Sequence, residues 1–497
     1  MQQGYDHSKE PARVYNEYVA KSAINIIDPS GMKNMTDYDI YQSPFSWRYG
    51  SMEMRQIWSV RETRLLWRKI WVALAESQVP YHLVTKEQAA ALADQATNLN
   101  LQRSFELEQK LKHDLMAELE AFGEVCPGSA GILHLGATSM DIKDNALVLQ
   151  QKKALDLILS RLEDLLSHLA DLIQDWAAFP LQGYTHLQPA EPTTLGYRLA
   201  GYGQDLLSGH QDLIDFRDQI KGKGFTGAVG TSASFAALLG KEHLPAFQKD
   251  LSAKLGLSFF SVTNQTYPRV QDFQLVTLLA GIGAALYRLA FDVRILQSPG
   301  FGELAEPFGK DQVGSSAMPF KQNPILSEKI NSLGRTLAQF PRIAWDNAAH
   351  SLLERTLDDS ANQRIYLPES FLCLDEMLSG TQTILSGLQI REETIQRRLH
   401  EYGLFSGTEI LLMELSKVGA DRQQMHKIIR SHALAAWDAI KRGAPNPIKD
   451  LLINDPAVGE YLEENQINAS LEGTVYLGDA PSRAIALAKK INQVVGS

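Results

Sequence analysis

The chain has 497 residues, which is more than a single hydrophobic core usually serves, so its length implies two or three domains. Hydrophobic residues make up 44% of the sequence and charged residues 21%, a balance typical of a chain that is folded throughout. The formal net charge of −10 excludes a global basic field for nucleic acid or an anionic membrane. An anionic ligand would therefore need a local cluster of Arg, Lys and His.

The two cysteines and the apolar segments indicate the compartment. Cys126 and Cys373 have no CxxC spacing and no neighbouring His, which argues against a disulfide framework and against a zinc site. The N-terminus lacks an apolar signal-like stretch, and the least polar stretch, from Phe273 to Tyr287, is short for a bilayer span. We therefore expect a cytoplasmic protein with no membrane partner.

The N-terminal part divides into an extension and a small domain. Residues 1–40 mix charge, Pro, Gly and Asn without period, and we interpret them as an N-terminal extension. Apolar residues recur at helical spacing from about Met54 to Ala75 and from about Lys86 to Phe122. This pattern predicts an N-terminal helical domain over residues 41–138.

The central part, residues 139–390, has the pattern of a helical bundle with the signature loop described below. The seam of one long helix steps by three and four along Leu155, Ile158, Leu162, Leu165, Leu169, Leu172 and Trp176. A second helix, from about Val270 to Leu296, is apolar around most of its circumference, as expected in a core or between subunits. Its small residues favour close helix approach in an oligomeric bundle, with an intramolecular core helix as the alternative.

Residues 391–497 predict a C-terminal helical domain. Shorter amphipathic helices are broken there by the segments GAPNPIKD and GDAPSR. Strand signals are scarce along the whole chain. The predicted fold class is therefore all-α, with three domains and a long central bundle.

The segment from Gly314 to Pro324, GSSAMPFKQNP, has the composition of a loop that handles carboxylates. Removing a carbon-bound proton next to a carboxylate needs fixed donors for the negative charge, and Lys321 and Asn323 are suitable. A serine hydroxyl such as that of Ser315 is a weak base unless amides, a cation or a partner base lower its pKa. The alternative is a Ser-rich turn between helices.

Further motifs agree with this loop in order and spacing, namely SPFSWRYGSMEM, KHDLMAEL, HLGATSMDIKDN, THLQPAEPTTLG, NQTYPRV and ERTLDDSANQR. With the pattern GSSxMPxKxN, they make the chain resemble the fumarase/aspartase superfamily and, within it, the adenylosuccinate lyase family. The resemblance runs from about Tyr41 nearly to the C-terminus.

The resemblance implies an architecture and a reaction. It implies a three-domain, nearly all-helical subunit and a homotetramer in which three subunits build each active site. The implied reaction is β-elimination of fumarate from a succinylated purine nucleotide, which converts adenylosuccinate to AMP and SAICAR to AICAR in purine biosynthesis. It implies no metal and no organic cofactor, and the net charge already argues against a nucleic-acid partner.

The resemblance also assigns roles to residues. Ser315 matches the catalytic base and His186 the general acid, while His113 and the pair Thr138 and Ser139 match residues that hold substrate carboxylates and orient the acid. Lys321 and Asn323 complete the catalytic set. Further matches to substrate-binding positions are Lys112, Asp114, Thr185, Gln265, Ser316, Met318 and Lys329.

Two histidines illustrate how functional and structural interpretations compete. His186 lies between matched neighbours, and Pro189 and Pro192 predict that an irregular turn presents it, which favours the functional interpretation. For His134, capping of a backbone carbonyl and a functional role remain equally open.

The resemblance places a nucleotide 5′-phosphate at Arg355, Ser360 and Arg364, with Arg48 and Tyr49 alongside. Arginine presents a fork that meets phosphate oxygens bidentately, and a serine hydroxyl adds one donor. The alternative is that Arg355 and Arg364 form surface ion pairs with the neighbouring aspartates.

Three residues depart from the family pattern. Gln322 and Lys329 stand where relatives commonly have Arg, and Ser232 stands where some have Gln. Because Arg and Lys are not equivalent at a bidentate site, the departures leave two alternatives open. One is a fumarate-releasing lyase with another succinylated or aspartate-like substrate, and the other is a catalytically silent nucleotide-binding paralogue.

Overall fold

The computed structural model describes residues 40–472 and 477–496, so almost all of the predicted N-terminal extension lies outside the described residues. The chain forms two compact units. The described part of the first unit consists of residues 40–153, Ile220–Arg269 and Ala349–Asp359. The second unit consists of Ala154–Gln219, Val270–Ala348 and the described residues from Ser360 onward. The division into three domains stays a prediction.

Helices dominate the described residues, and the all-α fold class is confirmed. The α-helices in chain order are α1 (Met52–Ile57), α2 (Val60–Gln78), α3 (Lys86–Gln95), α4 (Leu101–Leu111), α5 (Asp114–Val125), α6 (Ser139–Asp175), α7 (Leu195–Gln219), α8 (Ala233–Leu239), α9 (Leu244–Leu255), α10 (Val270–Gln297), α11 (Ile325–Leu337), α12 (Phe340–Ala349), α13 (Asp359–Ser386), α14 (Glu392–Lys417), α15 (Arg422–Lys441), α16 (Ile448–Ile453), α17 (Pro456–Gly459), α18 (Glu464–Leu471) and α19 (Ala480–Val495).

Four short strands accompany the helices in the described part of the chain, and they are β1 (Pro180–Thr185), β2 (Gln188–Thr194), β3 (Leu304–Ala305) and β4 (Gln389–Ile390). Strands β1 and β2 form an antiparallel hairpin whose register shifts between Gln182 and Tyr184. Strands β3 and β4 pair antiparallel, with Leu304 opposite Ile390. The scarcity of strand signals is therefore confirmed, but the hairpin itself was not predicted.

Both predicted bundle helices are present, and the first is longer than its predicted seam. Helix α6 begins at Ser139, well before the predicted seam, and Leu155, Ile158 and Leu162 on that seam are fully buried. In the second unit, Arg161 of α6 pairs with the buried Asp375 of α13 at 2.7 Å. Helix α10 packs against α7 and α11 in the same unit.

Helix α10 matches its prediction within one residue. Within residues 40–472 and 477–496, it alone is long and apolar enough, by length and composition, to cross a membrane. The helix is longer than the stretch from Phe273 to Tyr287, whose shortness argued against a membrane span. Half of its apolar window is buried inside the structure, and a core helix of a soluble protein passes the same test. The helix is therefore weak evidence for a membrane span.

The predicted helical stretches before residue 138 are divided by capping residues. Thr85 and Gln88 form a capping box that begins α3, and Asn100 caps α4. Capping side chains bind backbone amides that have no partner inside the helix, so each of them begins a new helix.

A buried ion pair holds the start of α6 in the first unit. Asp141 and Lys223 are both fully buried and form this pair. The Asp141 carboxylate also accepts hydrogen bonds from the backbone amides of Thr226 and Gly227, each at 3.2 Å. Because a buried charge is costly unless it meets a partner and further hydrogen bonds, this pair ties the segment around Lys223 to α6.

We predict that Lys223→Met destabilises the protein by about 3–5 kcal/mol, because it leaves the Asp141 carboxylate buried and uncompensated. The measurement is the urea midpoint of the circular dichroism signal. Lys249→Met, at an exposed position on α9, is the matched control and is expected to change stability by less than about 0.5 kcal/mol. Equal losses in the two variants would contradict the role of the pair.

Candidate active site

The predicted site residues fall into both units. In the first unit, His113 stands between two helices. Lys112 ends α4 with a left-handed φ of 55°, and His113 then caps α5 by accepting a hydrogen bond at Nδ1 from the Met116 amide at 3.3 Å. Both side chains are exposed. Because Nδ1 accepts, the proton of the neutral ring is on Nε2, which lies 3.5 Å from Ser139 Oγ.

Asp114, the next predicted residue, is held by two cations. The Lys143 ammonium lies 2.8 Å from its carboxylate, and Arg64 donates to its backbone oxygen at 3.0 Å. Lys143 lies one turn after Ser139 on α6, so the starts of α5 and α6 come together here. Sequence reasoning missed Lys143, although its spacing from the Thr138–Ser139 pair is compatible with one helix face.

Thr138 and Ser139 occupy the start of α6. The Thr138 amide donates to the Asp141 carboxylate at 2.9 Å, so the buried acid fixes the turn on which both hydroxyl residues lie. The pattern Thr-x-x-Asp is a recognisable helix start and could have identified Asp141 as the positioning residue. A pair of hydroxyl residues at a helix N-terminus is well placed for a carboxylate.

His134 has a structural role. Its Nδ1 accepts a hydrogen bond from the indole Nε1 of Trp71 at 3.1 Å, and its φ is 63°. Burial lowers the pKa of His134, against the opposing charge of Asp141. A neutral ring can accept this hydrogen bond. Of the two open interpretations, the structural one is therefore supported. The partner of His134 is an indole N–H and not a backbone carbonyl.

Arg355, a predicted phosphate-binding residue of the first unit, belongs to a chain of ion pairs. Arg355 pairs with Asp359 at 2.9 Å, and the buried Arg269 links Asp359 at 3.0 Å to Asp144 at 3.1 Å. The ion pair that was the alternative for Arg355 is therefore present. Gln265 lies nearby, with its backbone amide bonded to the Glu354 oxygen at 3.1 Å.

Arg48 and Tyr49 follow a short 3-10 turn, Pro44–Ser46. The Arg48 guanidinium lies 5.9 Å from the centroid of the Tyr49 ring and 5.6 Å from that of Trp47. Arg48 is exposed and Tyr49 is partly buried. The guanidinium fork of an exposed arginine has the geometry to bind a carboxylate or a phosphate.

In the second unit, His186 lies at the tip of the hairpin formed by β1 and β2. Thr185 and Gln188 pair across the tip, and the two turn residues His186 and Leu187 have φ values of 54° and 57°. These values define a tight turn of the primed type that suits a hairpin. The predicted irregular turn is therefore a regular one, and it exposes both Thr185 and His186.

A buried carboxylate lies beneath this hairpin. Glu303 is fully buried, and it accepts a hydrogen bond from Tyr184 Oη at 2.7 Å and another from Arg198 at 3.1 Å. Burial, followed by the hydrogen bond to Glu303, raises the pKa of Tyr184, so the phenol remains a donor. Sequence reasoning did not single out Glu303.

The signature loop places Ser315 among backbone amides. Ser315 Oγ accepts hydrogen bonds from the amides of Ala317 at 3.3 Å and Met318 at 3.1 Å. The Asn323 side chain donates to the Gly314 oxygen at 2.7 Å and closes the base of the loop. A Cβ on Gly314 would lie 1.9 Å from the Lys321 oxygen, so only glycine fits there. Ser316, Met318 and Lys321 are exposed around Ser315.

A second buried carboxylate anchors the end of this loop. Glu306 accepts hydrogen bonds from the amides of Leu326 and Ser327, both at 2.9 Å, and from Ser327 Oγ at 2.7 Å. The amide of Glu306 itself donates to Gln297 at 3.1 Å. These contacts satisfy the free amides at the start of α11. The loop therefore ends on a fixed helix.

The remaining predicted residues lie on helices of the second unit. Lys329 on α11 pairs with Glu376 at 2.5 Å. Ser360 and Arg364 are four residues apart at the start of α13, so they share one helix face, and Arg364 is exposed. The position of Ser360 near a helix N-terminus suits a phosphate.

The structure brings together His113, Asp114 and Ser139 in the first unit, and the residues of the signature loop in the second. Groups of three or more His, Cys, Asp or Glu side chains that could hold a metal ion are absent from residues 40–472 and 477–496. In the second unit, the signature loop presents the Ser315 hydroxyl and the hairpin tip presents the His186 imidazole, the type of group most often used in general acid–base catalysis.

Comparisons with known proteins agree with these motifs. Residues 46–337 match the family model described as lyase, and residues 405–484 match that of the adenylosuccinate lyase C-terminus. The chain is 38% identical over 408 residues to adenylosuccinate lyase of Caenorhabditis briggsae, covering 81% of this chain and 85% of that protein. It is 36% identical over 465 residues to the enzyme of the same name from Saccharomyces cerevisiae, covering 92% and 95%.

Solved structures with the same fold include two enzymes. One is a fumarate lyase from Mesorhizobium sp. BNC1, with a TM-score of 0.78, 25% identity, and coverage of 92% of this chain and 100% of that one. The other is the 3-carboxy-cis,cis-muconate lactonizing enzyme from Pseudomonas putida, with a TM-score of 0.80, 24% identity, and coverage of 91% and 100%. The second likeness shows the fold alone.

Proposed function

The chain belongs to the adenylosuccinate lyase family, and on that premise we propose how it acts and on what. It is a fumarate-releasing carbon-nitrogen lyase. The substrates we propose are adenylosuccinate, which yields AMP, and SAICAR, which yields AICAR. Both are succinylated purine-pathway nucleotides.

Ser315 is the base in this proposal. The observation that carries it is the pair of backbone amides that donate to Ser315 Oγ. Hydrogen bonds to the charged form of a group favour that form, so these amides favour the alkoxide that removes the proton from Cβ of the succinyl group. Lys321 and Asn323, on the same loop, supply donors for the carboxylate next to the reacting carbon.

His186 is the general acid, which protonates the departing nitrogen. A two-residue turn exposes its ring, and histidine is the side chain most often used as a general acid. His113, Asp114, Thr138 and Ser139 would hold a substrate carboxylate, with Lys112 and Lys143 adding positive charge. Thr185, Gln265, Ser316, Met318 and Lys329 would line the rest of the substrate.

A phosphorylated substrate is supported by the exposed guanidinium groups. Arg364 and Arg48 are exposed, and Ser360 lies on the same helix face as Arg364. Arg355 retains other N–H donors while one nitrogen binds Asp359, so its ion pair is compatible with a phosphate contact. We propose that these residues, with Tyr49, hold the 5′-phosphate.

The first test is turnover of adenylosuccinate by the purified protein, followed by the ultraviolet spectrum of the purine and by fumarate release. We expect one fumarate and one AMP per turnover. Ser315→Ala should lower kcat by at least about 10²- to 10⁴-fold with nearly unchanged substrate binding, because the alkoxide acts in the transition state.

Failure of the wild-type protein to cleave adenylosuccinate or SAICAR would contradict the proposed substrates. Fumarate release from another succinylated amine would then identify a different lyase substrate. That outcome would agree with Lys329 and Gln322, which depart from the family pattern. Binding of the nucleotide without any turnover would instead identify a silent paralogue. Full activity of Ser315→Ala would remove Ser315 as the base.

We predict that Arg364→Ala raises KM for adenylosuccinate about tenfold or more, because a charge-assisted hydrogen bond to phosphate is worth about 1.5–3 kcal/mol. The matched control is succinyladenosine, the same molecule without its 5′-phosphate. Its kcat/KM should be equal in the variant and the wild type. An equal loss on both substrates would show that Arg364 does not bind the phosphate.

We also propose a cytoplasmic homotetramer with active sites shared between subunits. The support is the apolar surface of α10, which leaves Val270 and Phe291 exposed in the single chain. Apolar helix faces of this kind are commonly covered by another subunit.

We predict that inactive Ser315→Ala and His186→Gln chains regain activity when they are denatured together and reassembled. When the two kinds of chain assemble at random, some shared sites receive an intact Ser315 from one chain and an intact His186 from another. The measurement is fumarate release by the mixture, compared with each variant reassembled alone. A mixture as inactive as its components, although tetrameric by sedimentation, would contradict shared sites.

A further inference from the structure

Two buried glutamates flank strand β3, which is only two residues long. Glu303 precedes the strand and is fully buried, and Glu306 follows it with 2% of its surface exposed. Neither residue belongs to the motifs from which the site was predicted, and neither is assigned to substrate. Each carboxylate instead contacts a different segment that carries a proposed catalytic residue.

Glu303 contacts the hairpin that presents His186. Its Oε1 accepts from Tyr184 Oη at 2.7 Å, and Tyr184 lies two residues before the tip. Its Oε2 accepts from Arg198 at 3.1 Å, and the same guanidinium donates to the Gln182 oxygen at 2.8 Å. The hairpin register shifts between Gln182 and Tyr184. Glu303 therefore holds the strand on both sides of this shift, directly at Tyr184 and through Arg198 at Gln182.

Glu306 contacts the start of α11, the helix that directly follows the loop that carries Ser315. Both of its oxygens accept backbone amides of α11, and one also accepts the Ser327 hydroxyl. Residues 316–322 of the loop are exposed, and the hydrogen bonds of Ser315 and Asn323 are made within the loop itself. Gln297 holds both sides of the loop, since it accepts from the Glu306 amide at 3.1 Å and donates to the Gln322 oxygen at 3.1 Å.

Strand β3 is itself fixed. It pairs with β4, and the Arg391 amide donates to the Glu303 backbone oxygen at 2.9 Å. The two glutamates are therefore held by backbone bonds, while their side chains hold the hairpin and the start of α11. A fixed support is what a catalytic group needs, since a displacement of about 1 Å can cost about 10²-fold in rate.

We infer that Glu303 and Glu306 are separate positioning residues of this lyase, Glu303 for the hairpin of the acid His186 and Glu306 for the loop of the base Ser315. The inference rests on the proposed function, since it assigns the two supports to the two proton transfers. Each support requires a carboxylate. A glutamine has one accepting oxygen where the glutamate has two. Its N–H₂ group is a donor and cannot accept the hydrogen bond that the second carboxylate oxygen accepts.

The first experiment measures amide hydrogen exchange by mass spectrometry and needs no substrate. Glu303→Gln should speed exchange in residues 180–194 while leaving residues 314–327 unchanged. Glu306→Gln should do the reverse. Glu393→Gln, at an exposed position in the first turn of α14, is the matched control and should change neither segment.

The second experiment separates the two proton transfers during turnover of adenylosuccinate. Both buried variants should lose about 10²-fold in kcat with little change in KM. With deuterium at Cβ, Glu306→Gln should show a larger isotope effect on kcat/KM than the wild type, because removal of that proton becomes slower. Glu303→Gln should show no increase, because departure of the nitrogen becomes the slower step.

Milder variants keep the inference testable if the glutamine variants do not fold. Tyr184→Phe removes the hydrogen bond to Glu303 and keeps the ring against Phe301, whose centroid is 5.0 Å away. Ser327→Ala removes one bond to Glu306 and leaves both amide bonds in place. Each should loosen its own segment in the same direction as the corresponding glutamine variant.

Loosening of both segments by either variant, or of neither, would overturn the inference, as would the same isotope effect in both variants. If the wild type does not cleave adenylosuccinate, the proposed function fails, yet the exchange experiment still decides whether each glutamate holds its own segment. Selective exchange without turnover would keep the two supports and discard their assignment to this reaction.

Discussion

The buried carboxylate that accepts several hydrogen bonds is the interaction on which the candidate site depends. Asp141, Glu303 and Glu306 are buried, and each meets two or more donors. An isolated buried charge would be costly, but the cost is offset when a cation and several N–H groups surround it. Tyr184 belongs to the hairpin, Thr226 and Gly227 belong to a loop, and Leu326 and Ser327 begin α11. The carboxylates therefore connect turns and helix starts to the buried parts of each unit.

The long helices and the connections between them have different tasks. Helices such as α6 and α10 bury apolar seams and provide a stable frame. The proposed chemistry lies where that regular structure begins or ends, because residues there can project side chains and backbone amides outward. His113 caps α5, and His186 occupies a two-residue turn. Ser315 lies in a loop that ends on α11.

Lys329 is one of the three departures from the family pattern, and it has an ion-pair partner in the structure. Its ammonium lies 2.5 Å from Glu376 in the same unit. Lysine is a compact point charge without the fork of arginine, so an ion pair occupies much of its capacity. In the proposed site, a substrate carboxylate at Lys329 would share this cation with Glu376.

The sequence by itself determined the helical class, the bundle seam and the family, because helical periodicity and motif spacing are local properties of a chain. The bounds of α10 and the loop from Gly314 to Pro324 could be predicted for that reason. Only the tertiary structure decided the hairpin beneath His186, the partner of His134 and the contacts of Glu303. The contacts of His134 and Glu303 join residues far apart in sequence. The hairpin is local, but its turn residues His186 and Leu187 lack the Asn-Gly pair from which such a turn is predicted. Burial, which sets the strength of a charge contact, depends on the folded chain as a whole.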